Sequence, residues 1–222
     1  MKTFAQEINA ALEKAISKDS NVIVGGQLVR YGVAGLTKGL FEKYPSNFIT
    51  YPVSESLMNS SAMGLALAGK RVVMIHVRID FLASGMCALV NHIPIWYQKG
   101  FDLPIVILCQ VGKGMGQGAQ HSKNLSFWFE RFQGWNVVTP KTPSEAHEGL
   151  LDSIFGNKPT LYVIHRELFD AKSPKELPEN SAVLLCGASR RHERFFYGAE
   201  HDLSFYGDNQ HFELEDLSGR GK

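Results

Sequence analysis

The chain has 222 residues, 44% of them hydrophobic and 20% charged, and its 23 Lys plus Arg against 22 Asp plus Glu give a formal net charge of +1. At roughly 100–200 residues per domain this predicts one large domain, or one domain with an appendage, able to bury a real core. The near-neutral charge argues against a general nucleic-acid binder. No apolar run approaches the roughly 20 residues that span a bilayer, and the acid-bearing N-terminus lacks the apolar centre of a secretory signal. A cytoplasmic protein that binds neither nucleic acid nor membrane is expected. Cys87, Cys109 and Cys186 form no CxxC and no zinc spacing, so they read as buried thiols in a reducing compartment.

Thr3 with Gln6 three residues on predicts a capping box, and Ile8, Leu12, Ala15 and Ile16 recur at helical spacing behind it. Residues 21–26 (NVIVGG) read as a buried strand, 36–44 as a second helix, and 48–53 (FITYPV) as a strand that Pro52 ends at an edge or a turn. A helix rich in small residues follows over 56–68, then a strand over 71–77. Residues 81–98 read as mostly helical, with a kink or break at Pro94. The run 104–111 (PIVILCQV) is the clearest buried strand. A glycine-rich loop, a short helix over 127–132, a strand over 136–140, a helix over 143–155 with proline at its start and a strand over 160–165 complete the alternation. Residues 172–180 read as a polar, proline-bearing linker, and 181–186 as one more strand.

Near-continuous apolar strands alternating with helices predict a doubly wound α/β fold, a mainly parallel sheet with helices on both faces. Such sheets bind ligands beyond the carboxyl ends of their strands. Function is therefore expected at 53–55, 77–81 and 111–121. In 112–118 (GKGMGQG) glycine stands at every second position, which allows close backbone approach, yet neither nucleotide fingerprint is met. His121 at the end of that loop has the chemistry to move protons near neutral pH. Glu55 opens a helix after a strand, where an acid complements the helix dipole or bonds a heterocycle. Phe81, taken alone, is ordinary core. No G-x-S-x-G elbow and no zinc-ligand cluster occurs, so no metal site is expected on this chain.

Order and spacing say more than the single motifs. The segments GGQLVRYGVAGLTKGLFEKY, YPVSESLMNSSAMGLALAGKRVV, IDFLASGMCALVNH and GQGAQHSKNLSFWFERFQGWNVVTPKTPSEAHEGLL resemble the β subunit of thiamine-diphosphate-dependent 2-oxo acid dehydrogenases, and more broadly the transketolase-like pyrimidine-binding domain. The resemblance implies thiamine diphosphate shared at a subunit interface. The aminopyrimidine would be held here, and the diphosphate with its Mg²⁺ on an α-like partner chain, because this sequence lacks the family's G-D-G. A hetero-oligomer such as an α2β2 heterotetramer and a small-molecule substrate, a 2-oxo acid or a ketose, are implied with it.

Residue by residue, the resemblance puts Glu55 on the acid that bonds a ring nitrogen of the aminopyrimidine in a dry pocket, so that the ring's exocyclic nitrogen can take the thiazolium C2 proton. It puts Phe81 on the aromatic packed on the pyrimidine and His121 on the substrate-side histidine. Gly116 and Gly118 fall where the loop approaches the cofactor, and Gln27 where the family has an acid lining the same site. Glu55 and His121 are thus the implied catalytic residues. The expected organisation is a pyrimidine-binding domain over 1–170, a linker over 171–180, and an extension over 181–222 standing in place of the family's second domain. A non-catalytic interaction subunit that keeps the fold and pairs with an α-like chain is the alternative.

Overall fold

A computed structural model describes residues 1–112 and 118–173. The first helix, α1 (Phe4–Lys18), starts where the capping box predicts. The Thr3 hydroxyl accepts from the Gln6 amide and the Gln6 side chain accepts from the Thr3 amide. Its apolar face (Phe4, Ile8, Leu12 and Ala15) is fully buried.

Six strands follow: β1 (Val22–Gly26), β2 (Phe48–Thr50), β3 (Arg71–His76), β4 (Ile105–Val111), β5 (Asn136–Val138) and β6 (Thr160–His165). They form one sheet in the order β2-β1-β3-β4-β6-β5 with every pair parallel. The fold is therefore the α/β arrangement expected. The inner strands are buried nearly throughout, whereas the two edge strands are three residues long and partly exposed, which leaves little edge open to mispairing. α1 and α6 (Pro143–Phe155) cover one face. α3 (Glu55–Leu67), α4 (Ile93–Gln98) and α5 (Ser126–Arg131) cover the other.

Two predicted helices differ. The helix expected over 36–44 is only α2 (Leu40–Lys43), preceded by tight turns at Val29–Tyr31 and Val33–Gly35. Gly32, Gly35 and Gly39 all take positive φ there, and Leu28 and Ala34 do so without being glycine, so the chain cannot propagate a right-handed helix. The helix expected over 81–98 divides into a 3-10 segment at Ile79–Gly85, a π-turn at Ala88–His92 and α4. Pro94 has no N–H for the i→i−4 ladder, and the widened turn, with the Ile93 amide donating to the Ala88 carbonyl, accommodates that loss. β2 stops at Thr50, before Pro52. Cys109 is buried as expected, but Cys87, the residue before the π-turn, is exposed. Cys186, the predicted linker beyond residue 173 and the predicted strand over 181–186 lie outside the described residues.

Candidate active site

The sheet order reverses direction between β1 and β3. From β1 the chain steps out to β2 on one side, then crosses to β3 on the other. Such a switch point opens a crevice beyond the strand ends. Gln27 follows β1, Glu55 opens α3 after β2, and Phe81 follows β3. The topology thus brings together three residues far apart in sequence.

Glu55 is half-buried in the first turn of α3, which Ser54 caps by accepting from the Leu57 amide. Gln27 Nε2 donates to Glu55 Oε1 at 3.2 Å, and Ser84 Oγ lies 2.9 Å from Glu55 Oε2. The Ser84 hydroxyl has one proton and also lies 2.8 Å from the Phe81 carbonyl, so it bridges the helix start and the segment after β3. With one such contact each among the described residues, the carboxylate oxygens retain further acceptor capacity. An amide at position 27 donates to the carboxylate where a second acid would repel it. Among the described residues Glu55 is only half-buried, so they do not by themselves close the dry pocket expected around it.

Phe81 is 37% exposed rather than core, and the His121 ring meets it edge-on with centroids 5.0 Å apart. An aromatic ring held by a perpendicular neighbour keeps a face available for stacking. Gly118 takes φ +82°, and its carbonyl accepts from the His121 amide and the Ser122 hydroxyl. Gly116 lies outside the described residues.

Around this crevice stand apolar side chains that the fold leaves in solvent. Leu28 is 53% exposed, Tyr31 76% and Val53 82%. Leu28 does so with a left-handed backbone (φ 58°, ψ 8°), a conformation that costs a non-glycine residue about 1–3 kcal/mol and clusters at functional sites.

Beside the crevice is a closed polar site that no motif announced. Arg78 and Asp80 form an ion pair at 3.3 Å with side chains only 1% and 2% exposed. Arg78 also donates to the Gly112 carbonyl at 3.0 Å, and Asp80 accepts from the Lys123 amide at 2.9 Å. The pair therefore ties both ends of the glycine-rich segment to the end of β3. Gly112 has φ +120°, and a Cβ there would collide with the Glu167 carboxylate, so only glycine fits. Ser84, Asn59, His76 and Arg78 were also missed from sequence. The available signal was a polar side chain inside an otherwise small or apolar run, as Asn59 and His76 are. Among the described residues no group of three or more His, Cys, Asp or Glu is placed to hold a metal ion, and no single helix is long and apolar enough to cross a membrane.

Residues 1–171 match the family described as transketolase, pyrimidine binding domain, and the chain belongs to that family. Among curated proteins it is 30% identical over 195 residues to the acetoin:2,6-dichlorophenolindophenol oxidoreductase subunit beta of Cupriavidus necator, a match covering 81% of this chain and 57% of that one. It is also 30% identical over 195 residues to the pyruvate dehydrogenase E1 component subunit beta of Acholeplasma laidlawii, covering 85% and 59%. The chain thus spans a little over half the length of these relatives. Its fold matches a split-gene transketolase solved as an inactive beta4 tetramer (TM-score 0.63, 14% identity, 80% of this chain and 54% of that one). It matches the transketolase from Leishmania mexicana similarly (TM-score 0.62, 14% identity, 80% and 26%).

Proposed function

We propose that this chain is the pyrimidine-binding, β-like subunit of a split thiamine-diphosphate-dependent enzyme acting on a 2-oxo acid or a ketose. The observation that carries the reading is the Glu55 carboxylate at the switch-point crevice, gripped by Gln27 and Ser84 beside the exposed ring of Phe81. The names of the β-subunit relatives support it. The residues fit the aminopyrimidine half of the cofactor: a carboxylate with open lone pairs for a ring nitrogen and an aromatic face for stacking. When bound, thiamine diphosphate supplies the carbanion chemistry.

This chain's residues bind, orient and handle protons. Glu55 holds or shares a proton at the pyrimidine ring nitrogen, and Gln27 and Ser84 keep its oxygens aimed. Phe81 sets the plane of the ring. His121, packed on Phe81, serves as the proton-handling group on the substrate side. Gly118, and Gly116 before it, let the backbone approach the ring. An α-like partner, in an α2β2 heterotetramer, brings the Mg²⁺-diphosphate site and covers Leu28, Tyr31 and Val53. Covering them dries the pocket around Glu55. A cytoplasmic location suits the unpaired Cys87 thiol on the surface.

A second reading, an interaction subunit that keeps the fold without the chemistry, is favoured by the amide at Gln27, which can neither give nor take a proton as an acid would. Co-expression with an α-like chain carrying G-D-G and a downstream Asn separates the two. The enzyme reading expects a stable complex that takes up thiamine diphosphate and Mg²⁺. A tight complex with no cofactor uptake supports the interaction subunit.

A further inference from the structure

A carboxylate at the start of a helix is only as well placed as the helix and the group that clamps it. Asn59 stands one turn after Glu55 on the same face of α3, in a run of small and apolar residues, and is fully buried. A buried amide is costly unless its groups are bonded. Asn59 Nδ2 donates to the Gly85 carbonyl at 3.3 Å, and Asn59 Oδ1 lies 2.9 Å from His76 Nε2. With the amide nitrogen turned to Gly85, its oxygen faces His76, so the imidazole carries its proton on Nε2.

Gly85 follows Ser84, the residue that donates to Glu55. A Cβ on Gly85 would collide with the Asn59 amide and lie 2.8 Å from the Glu55 carbonyl oxygen. The chain after β3 therefore presses against the first turn of α3, where the Ser56 hydroxyl donates to the Ser84 carbonyl at 2.9 Å and Asn59 holds the next carbonyl, that of Gly85, from the buried side.

We propose that Asn59, held by His76 at the end of β3, is a positioning residue for Glu55, acting through the Gly85–Ser84 backbone that carries the Ser84 clamp. This deepens the assignment of Glu55 above and rests on it. His76 contributes from the floor of the crevice, where burial keeps its imidazole neutral by lowering its pKa to about 3.

The test reads the clamp rather than the fold. The ¹³C carboxyl resonance of Glu55 is followed in the full chain labelled at glutamate, and is assigned by its disappearance in Glu55→Gln. Ser84→Ala, at an exposed position, gives the displacement expected when the clamp is lost. Asn59→Ala is expected to move the same resonance by at least half that displacement, with a cooperative melt showing the fold retained. Asn59→Leu, nearly isosteric, uncharged and lacking the donor to Gly85, serves if the alanine variant does not fold, and is expected to move it too. His76→Gln, which retains an N–H for Asn59, is expected to leave the resonance in place, and His76→Leu to move it.

An unmoved resonance in a folded Asn59 variant overturns the proposal. So does a resonance that His76→Gln displaces as far as His76→Leu. These spectra need neither cofactor nor partner. The assignment of Glu55 to cofactor activation fails on a different result, undiminished exchange of the cofactor C2 proton by Glu55→Gln in the reconstituted pair.

Discussion

Two polar sites stand side by side at the carboxyl ends of the strands, and they are built oppositely. The Arg78–Asp80 site is closed, with an ion pair almost without exposure bonded to the backbone at Gly112 and Lys123. Among the described residues the Glu55 site is open, with a half-buried carboxylate that meets Gln27 and Ser84 and with exposed Leu28, Tyr31 and Val53 in the segments that follow β1 and β2. The closed site pairs its two charges within this chain and ties down the ends of the adjoining loops, although Arg78 Nη1 is buried with no hydrogen-bond partner among the described residues. The open site presents bonding capacity and apolar surface outward, as a half-site finished by a ligand and a second surface would. Stiffness next to openness holds the Glu55 carboxylate in place while leaving it reachable.

The comparison is broken most forcefully at the closed site. Asp80→Ala leaves the Arg78 cation buried without its partner and is expected to cost about 3–5 kcal/mol, read by chemical denaturation. If it costs less than 1 kcal/mol, the two sites are not distinct in rigidity.

His76 lies beneath both, and its lowered pKa makes a pH prediction. The folded chain keeps the imidazole neutral down to a pKa of about 3, whereas the unfolded chain takes a proton below its ordinary pKa of about 6.5. Stability held above pH 6.5 is therefore lost as pH falls, by about 1.4 kcal/mol per pH unit from this group until pH approaches 3. His165, whose pKa burial also lowers, steepens the slope. His76→Gln is expected to flatten the profile by one proton's worth, measured by denaturation between pH 7 and 4.

Gly85→Ala tests the close approach that frames Glu55, and overpacking there is expected to cost about 1–3 kcal/mol. Thr3→Ala removes the capping box of α1, far from both sites, and is expected to cost about 1 kcal/mol. Val53→Ser is expected to change the stability of the isolated chain by about 0.5 kcal/mol or less, yet to weaken association with an α-like chain. A Val53→Ser chain that binds its partner undiminished would show that the exposed rim is not the covered surface.

The fold was legible because its signals are local and agree with one another. Apolar runs such as 104–111 and 160–165 can be satisfied only as strands buried on both faces, and the capping box of Thr3 and the proline at the start of α6 mark helix starts by their own chemistry. The helices expected over 36–44 and 81–98 are shorter or divided. Their glycines with positive φ, and the π-turn before Pro94, depend on how the chain must turn at the sheet end rather than on apolar periodicity. Glu55, Phe81 and His121 were singled out through motif order, and the structure sets Phe81 against His121 at the same sheet end as Glu55. Phe81, ordinary core when read alone, became a candidate only through the resemblance. Ser84, Asn59, His76 and the Arg78–Asp80 pair were not legible, because their partners lie 17–43 positions away or on backbone groups that no sequence pattern encodes.

The central claim is that Glu55 drives cofactor activation from the open site. Its most direct test is exchange of the thiamine diphosphate C2 proton for deuterium in the complex with an α-like chain, comparing the native chain with Glu55→Gln. A fall of about 100-fold or more, the scale of lost acid–base catalysis, is predicted with complex assembly unchanged. Exchange at the native rate in the variant would contradict the account.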